Sequence, residues 1–264
     1  MNDIQYYWSG DRNKRCKYAV AHTEEMEKRC PMQLNDAIMS TKVYDDNTSI
    51  NMNKKFNNTN ITLADLDSVT AILLESYLPK KAVLNFASYK NAGGKFIEGS
   101  RAQEESLCAN SNLYNILKRQ EDYYEWNRKH LNRALYLNRA LYTPDVYFKY
   151  DDNETFCDVI TCAAPNITPS RKYGWGITNE ENSAALDSRI KFVLDVAADN
   201  EVETLILGAF GCGVFGQDAT EVISIFKKYL ETTHKNCFKN VIFAIPNDGR
   251  SDNYNKAYKI LKEN

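Results

Sequence analysis

"AVLNFASYKNAGGKFIEGSRAQEESL", residues 82–107, places an apolar run, a pair of glycines and a Gln-Glu-Glu in one short segment. The run 82–87 is too short for a helix and is bounded by turn residues, so it reads as a buried strand. Around Gly93 and Gly94 the chain turns, because glycine permits backbone conformations and close approaches that other residues resist. Gln103, Glu104 and Glu105 then open a helix. Similar apolar runs recur at 156–164 ("FCDVITCAA"), 203–210 ("ETLILGAF") and 240–245 ("NVIFAI"). Helical patterns lie between them, over 102–118, 183–199, 217–231 and 251–262. This alternation predicts an α/β fold: a mixed or parallel sheet with helices on both faces.

Outward from that core, residues 11–39 are charged and nearly free of Gly and Pro, which predicts helix interrupted at Pro31. "TKVY" (41–44) reads as a short strand and the Asn- and Asp-rich 45–60 as a loop. "TLADLDSVTAILLESYL" (62–78) reads as an amphipathic helix, capped by Thr62 and stopped by Pro79, with Leu63, Leu66, Val69, Ile72 and Leu73 on one face. "LNRALY" occurs twice in succession, at 131–136 and 137–142, within a segment, 119–142, rich in Tyr and Arg. That segment reads as a helical or turn insertion packed on the body, in preference to a basic-aromatic surface for nucleic acid. The expected organisation is one structural unit, an N-terminal helical extension over 1–60 on a core over 61–264.

Composition narrows the function classes. The chain has 264 residues, with 33 basic against 35 acidic side chains, a balance that gives no support to tight nonspecific nucleic-acid binding. No apolar signal core opens the sequence and no run reaches membrane-spanning length, so an intracellular, cytoplasmic protein is expected, nuclear if the host is eukaryotic. Seven scattered cysteines without a C-x-x-C pair fit reduced thiols. The three histidines form no H-x-x-x-H pair, and neither a metal nor a cofactor is expected.

A second glycine loop follows the run at 203–210: "LGAFGCGVFGQDATEV" (207–222), with Gly208, Gly211, Gly213 and Gly216 leading into a helix. Closely spaced glycines let amides converge on an anion, and a helix start adds partial positive charge, so either loop suits a diphosphate. Alone, Gly211-Cys212-Gly213 reads first as a tight strand-to-helix turn. Gly94-Lys95 is followed by Phe96, which excludes a Walker-type G-K-[ST], and the second loop lacks G-x-G-x-x-G spacing. Cys212 has no nearby histidine to activate it and reads as a small loop residue. The acidic pair has two readings as well: a solvated helix-capping pair, or a half-buried glutamate that keeps a proton and works as general acid, then base. Glycines before it and Ser106, Leu107 and Cys108 after it favour the second.

The stretches "NFASYKNAGGKFIEGSRAQEESLCANSNLY", "LYTPDVYF", "VITCAAPN" and "LILGAFGCGVFG" together resemble the microbial-type poly(ADP-ribose) glycohydrolase family, from about residue 60 to the C-terminus and more loosely before it. The resemblance implies a macrodomain-like mixed sheet flanked by helices, with an N-terminal helical extension. It implies hydrolysis of the ribose–ribose bond of poly(ADP-ribose), with ADP-ribose or the polymer, free or on modified proteins, as partner. Among the residues, it implies Glu105 as the acid that protonates the leaving ribose oxygen and then activates water. Glu104 and Gln103 would orient the scissile ribose. Asn91, Gly93 and Gly94 would approach the distal ribose and diphosphate, with Asn85 a further contact. Gly211, Cys212, Gly213, Val214 and Phe215 would wrap the diphosphate. One departure stands out: the family's first loop has a third glycine where this chain has Lys95. That change leaves a reader of ADP-ribose, or a hydrolase of another ADP-ribosyl conjugate, as the alternative readings.

Overall fold

The structure is a computed structural model that describes residues 10–52 and 54–262. The opening nine residues, read above as lacking a signal core, lie outside the described residues. Seven strands form one sheet: β1 (Lys42–Asp45), β2 (Asn60–Ala64), β3 (Lys81–Phe86), β4 (Arg139–Tyr150), β5 (Asn153–Cys162), β6 (Thr204–Leu207) and β7 (Asn240–Ala244). Their order is β1-β4-β5-β3-β6-β7-β2. β4 runs antiparallel to both of its neighbours, β1 and β5, whereas β5, β3, β6, β7 and β2 run parallel. The expected mixed α/β sheet is thus present.

Alternation along the central strands sorts side chains to two cores. Ala82 and Leu84 face one core with Leu205 and Leu207, while Val83 and Ile206 face the other. The first core is covered by α8 (Asn179–Asp199), α9 (Ala219–Glu231) and α10 (Asn253–Lys262). The second is covered by α1 (Arg12–Arg29), α2 (Pro31–Ser40), α3 (Ser68–Leu74), α4 (Gln103–Ala109) and α5 (Leu113–Leu117). The segment before residue 60 therefore supplies two helices and also edge strand β1.

Three expectations are corrected. The helix over 62–78 is only Ser68–Leu74, and its cap is Asp67, whose carboxylate accepts from Thr70 N at 2.9 Å. Residues 60–64 instead pair with β7, so Leu63 packs on the first core while Val69 and Ile72 pack on the second. The apparent helical stripe straddles the sheet edge. The helix over 102–118 is broken at 110–112, where Asn110 Nδ2 and Ser111 Oγ donate to Ser106 O and Leu107 O. Such side chains compete for helical carbonyls. The backbone there bonds β4 through Asn112 N to Tyr147 O and Lys149 N to Asn110 O. Finally, 119–142 is a helix, α6 (Glu121–Lys129), then a turn, then the start of β4. Pro144 at the β4 register shift concealed that strand.

Candidate active site

β3 ends at the mouth of the second core, and Asn85, fully buried, is its last inward polar residue. Its Nδ2 donates to Glu104 Oε1 (3.4 Å) and Thr161 Oγ1 (3.3 Å) on the adjacent β5. Gln103 ties α4 to the same strand: Phe86 N donates to its Oε1 (2.8 Å) and its Nε2 donates to Leu84 O (2.8 Å). Both ends of the Gln103 amide are committed to β3, which makes it a brace for the helix that carries the acids.

Glu104 and Glu105 are 3% and 6% exposed. Ser88 N donates to Glu104 Oε2 (2.7 Å) and Lys95 N to Glu105 Oε1 (2.9 Å). Glu105 Oε2 is buried with no hydrogen-bond partner among the described residues, and so is Asn85 Oδ1. An unmet buried acceptor is costly in a folded chain and marks where a donor from outside belongs. Burial pushes the Glu104 carboxyl well above the ordinary carboxylate range; the Ser88 amide opposes this and the neighbouring Glu105 charge adds to it.

The first glycine loop closes over this pair. Gly93 and Gly94 both have left-handed φ (+63° and +61°). A Cβ at Gly94 would lie 2.6 Å from Glu105 Oε1 and 2.9 Å from Glu104 Oε2. A Cβ at Gly93 would meet the Tyr114 ring at 2.6 Å. These two glycines exist because carboxylates and a ring occupy the space. Lys95 lies outside the left-handed region, and its ammonium pairs with Glu98 at 3.5 Å on the exposed rim. Its side chain leaves the carboxylates alone, and only its N–H enters the site.

Two neighbours hold the loop from outside. Arg15 of α1 donates through Nε to Gly99 O (2.6 Å), and Ser100 N, in the same peptide group, donates to Lys95 O (3.1 Å). From α6, Asn127 Nδ2 donates to Tyr89 O (2.9 Å) and Arg128 Nη1 to Lys90 O (3.1 Å). The Tyr- and Arg-rich insertion is thus a buttress, with Arg139 stacked over Trp126 at 4.1 Å.

The second glycine loop forms one wall of a cleft of about 900 Å³, which Gly211, Cys212, Gly213, Val214 and Phe215 line together with Gln103. Gly211 needs its glycine: φ is +75° and a Cβ would sit 2.6 Å from that of Ala164. Gly213 faces open space and Val214 is 79% exposed. Burial pushes the Cys212 thiol up to about 12, so it is no nucleophile. The loops are joined by rings: Tyr89 stacks on Tyr136 at 4.3 Å, and Phe215 leans on Tyr136 at 6.1 Å.

The structure therefore gathers Asn85, Gly94, Gln103, Glu104 and Glu105 into one cluster and 211–215 into the cleft wall. Gln103 is the link, because it belongs to both. Asn85, Gly94, Glu104 and Glu105 do not themselves line the cleft, nor do Gly93 and Asn91, which is exposed at the loop crest. Sequence reasoning missed Ser88 and Lys95, which act through their backbone amides, and Arg15 and Asn127, whose side chains bind loop carbonyls distant in the sequence. It also missed Arg101, Asp248 and Arg250, which line the cleft as well. Among the described residues no cluster of His, Cys, Asp and Glu would hold a metal ion.

Glycine loops at the carboxyl ends of parallel strands, with a buried carboxylate pair at the start of the adjoining helix, fit a macrodomain-like α/β protein with a site for a nucleotide diphosphate. The profile of the microbial-type PARG catalytic domain matches residues 13–150, just over half of the 264-residue chain. The chain belongs to this family, the microbial-type poly(ADP-ribose) glycohydrolases. Solved structures agree. The Deinococcus radiodurans poly(ADP-ribose) glycohydrolase in complex with ADP-ribose is 29% identical, covers 87% of this chain and 97% of its own, and superposes with a TM-score of 0.79. The Thermomonospora curvata enzyme is 26% identical over 94% of this chain and 98% of its own, with a TM-score of 0.83. The same enzyme bound to the inhibitor ADP-HPD is 25% identical, with 94% and 99% covered and a TM-score of 0.81. No curated protein matches the chain.

Proposed function

We propose that this chain hydrolyses the ribose–ribose bond of poly(ADP-ribose), with Glu105 as the single acid and base. The observation that carries the reading is the division of labour within the acidic pair. Glu104 accepts from Ser88 N and Asn85, whereas Glu105 keeps one buried oxygen without a partner among the described residues. That oxygen delivers a proton to the leaving ribose oxygen as the bond to the anomeric carbon breaks. A water then attacks the oxocarbenium-like carbon and returns its proton to Glu105, so the acid is regenerated. Glu104 is held towards its neutral form by burial and positioned by Ser88 N and Asn85. The wall 211–215, with Gly213 open and Phe215 fixed by Tyr136, takes the diphosphate. Asn91, Gly93 and Gly94 approach the distal ribose from the first loop. Release of ADP-ribose from labelled polymer, measured beside calorimetric binding of ADP-ribose, tests the reading. Binding with no release would make the chain a reader.

The same reading divides the chain into an extension over 1–60 and a catalytic core over 61–264. Its support is the Arg15 contact with Gly99 O, which makes α1 a working part of the site. A truncation starting at residue 41 that kept full turnover would refute this. An intracellular, cytoplasmic setting, or a nuclear one in a eukaryotic host, is supported by seven free cysteines. No described helix is long and apolar enough to cross a membrane. Fractionation of the producing cell checks the placement.

A further inference from the structure

We propose that the tip at 171–176, Arg-Lys-Tyr-Gly-Trp-Gly, is a second binding site for poly(ADP-ribose), taking a unit of the chain that lies outside the cleft. The inference rests on the glycohydrolase reading above and adds to it a place where polymer, as opposed to its end unit, is recognised.

All six residues are exposed, with Tyr173 at 73% and Trp175 at 50%. Neither ring has a stacking or cation partner among the described residues, and the Lys172 ammonium makes no hydrogen bond or ion pair there. Two large rings beside a cation on a surface are a feature that packing does not explain. The contrast with the insertion at 119–142 is direct: there the rings and guanidinium groups are spent on each other, as Arg139 over Trp126 shows.

The tip is also held firmly at its base. Ser170 Oγ accepts from Ile177 N (2.9 Å) and donates to Ile177 O (3.0 Å), which closes the turn that follows α7 (Thr168–Tyr173). Three bonds then fix it to the outer side of the second glycine loop: Ile167 N to Phe215 O (3.0 Å), Thr168 Oγ1 to Val214 O (2.7 Å) and Arg171 Nη1 to Gly216 O (2.7 Å). The same loop that lines the cleft therefore carries the tip on its back. Gly174 and Gly176, with φ of +66° and +71° and open space beyond, flank the Trp175 ring without shielding it.

The ligand follows from the chemistry. Each unit of poly(ADP-ribose) alternates a purine face with a diphosphate, and Lys172, Tyr173 and Trp175 present a cation and two ring faces in one short span. Base-on-ring stacking tolerates any position along a chain, and a nearby cation meets the diphosphate. With the two units that flank the scissile bond held at the cleft, a later unit of the same molecule is at high effective concentration for the tip. A free ADP-ribose has nothing left to offer it.

The test uses a Tyr173→Ala/Trp175→Ala double variant. On long polymer the KM should rise at least about fivefold, with kcat unchanged. The KM on a two-unit oligomer, the affinity for ADP-ribose and the melting temperature should stay where they are, and Trp175→Phe should keep most of the long-polymer affinity. An unchanged long-polymer KM would overturn the proposal, as would an equal rise on both substrates. Titrating long polymer into a Glu105→Gln background, with and without the tip substitutions, reads the site without turnover. A wild-type chain that cleaves neither substrate would sink the hydrolase reading, while a tip-dependent Kd in that titration would still stand for the tip. If single-stranded RNA, and not the polymer, loses affinity in the double variant, the tip is a nucleic-acid surface and the proposal fails.

Discussion

The two glycine loops do opposite work with similar composition. Around the first, nearly every polar group is committed: Ser88 N and Lys95 N go to carboxylates, Arg15 holds Gly99 O, and α6 holds Tyr89 O and Lys90 O. Its glycines are wedged against side chains. The second is tied from one side only, at 214–216, and its crest at Gly213 and Val214 stands open. The lesson is that a glycine can serve precision or access. In the first loop it lets a backbone N–H reach Glu105 and lock it; in the second, where Gly211 is wedged as well, Gly213 leaves room for a large anion.

The sharpest attempt to break this contrast is Glu105→Gln. The amide oxygen still accepts from Lys95 N, so the fold should persist, while ADP-ribose release falls roughly 10²–10⁴-fold. Turnover within tenfold of wild type, by chromatography of released ADP-ribose, would remove Glu105 as the acid. Next in size is the paired comparison of Gly94→Ala and Gly213→Ala. The first pushes a methyl into both carboxylates and strains a left-handed residue, which should cost about 1–2 kcal/mol in stability and roughly a hundredfold in rate. The second meets nothing, so its melting temperature should hold, with a stability change within about 0.5 kcal/mol. Equal losses in the two variants would erase the distinction drawn above.

A smaller effect is a pH dependence. The Glu104 carboxyl is raised in the folded chain above its ordinary 4.5, so the folded state holds that proton more tightly. Its contribution to stability is complete below that value and is lost as pH rises through the folded value. His22, lowered by burial, slopes the other way, so the readout is a difference. Between about pH 5 and 8 the melting temperature of Glu104→Gln should lose less than that of wild type. Matching slopes would deny Glu104 its neutral role. The smallest effect belongs to Cys212→Ala, whose thiol sits near 12: activity should stay within about twofold, and iodoacetamide near pH 8 should leave the wild-type residue unmodified.

The central strands and the acidic pair were legible because each is a local pattern: short apolar runs between turns, and Gln-Glu-Glu after paired glycines. What was hidden depends on distant partners. The hexapeptide "LNRALY" makes the point twice over. At 131–136 it is a turn with positive φ at Asn132, Arg133, Ala134 and Tyr136, and at 137–142 it runs into β4 between β1 and β5. Identical residues, different neighbours, different structure. The strand at 60–64 was likewise taken by β7 from what looked like a helix start. In the site, Ser88 and Lys95 contribute amides that any residue could supply, so no side-chain signal marked them.

The rings of Tyr89, Tyr136 and Phe215 act as a calliper. They set the spacing between the two loops before any ligand arrives, using side chains from three separate segments. A compound too thick for that spacing has to unstack aromatic pairs to enter. Inhibitor design against this fold is therefore a question of slenderness first and of charge second.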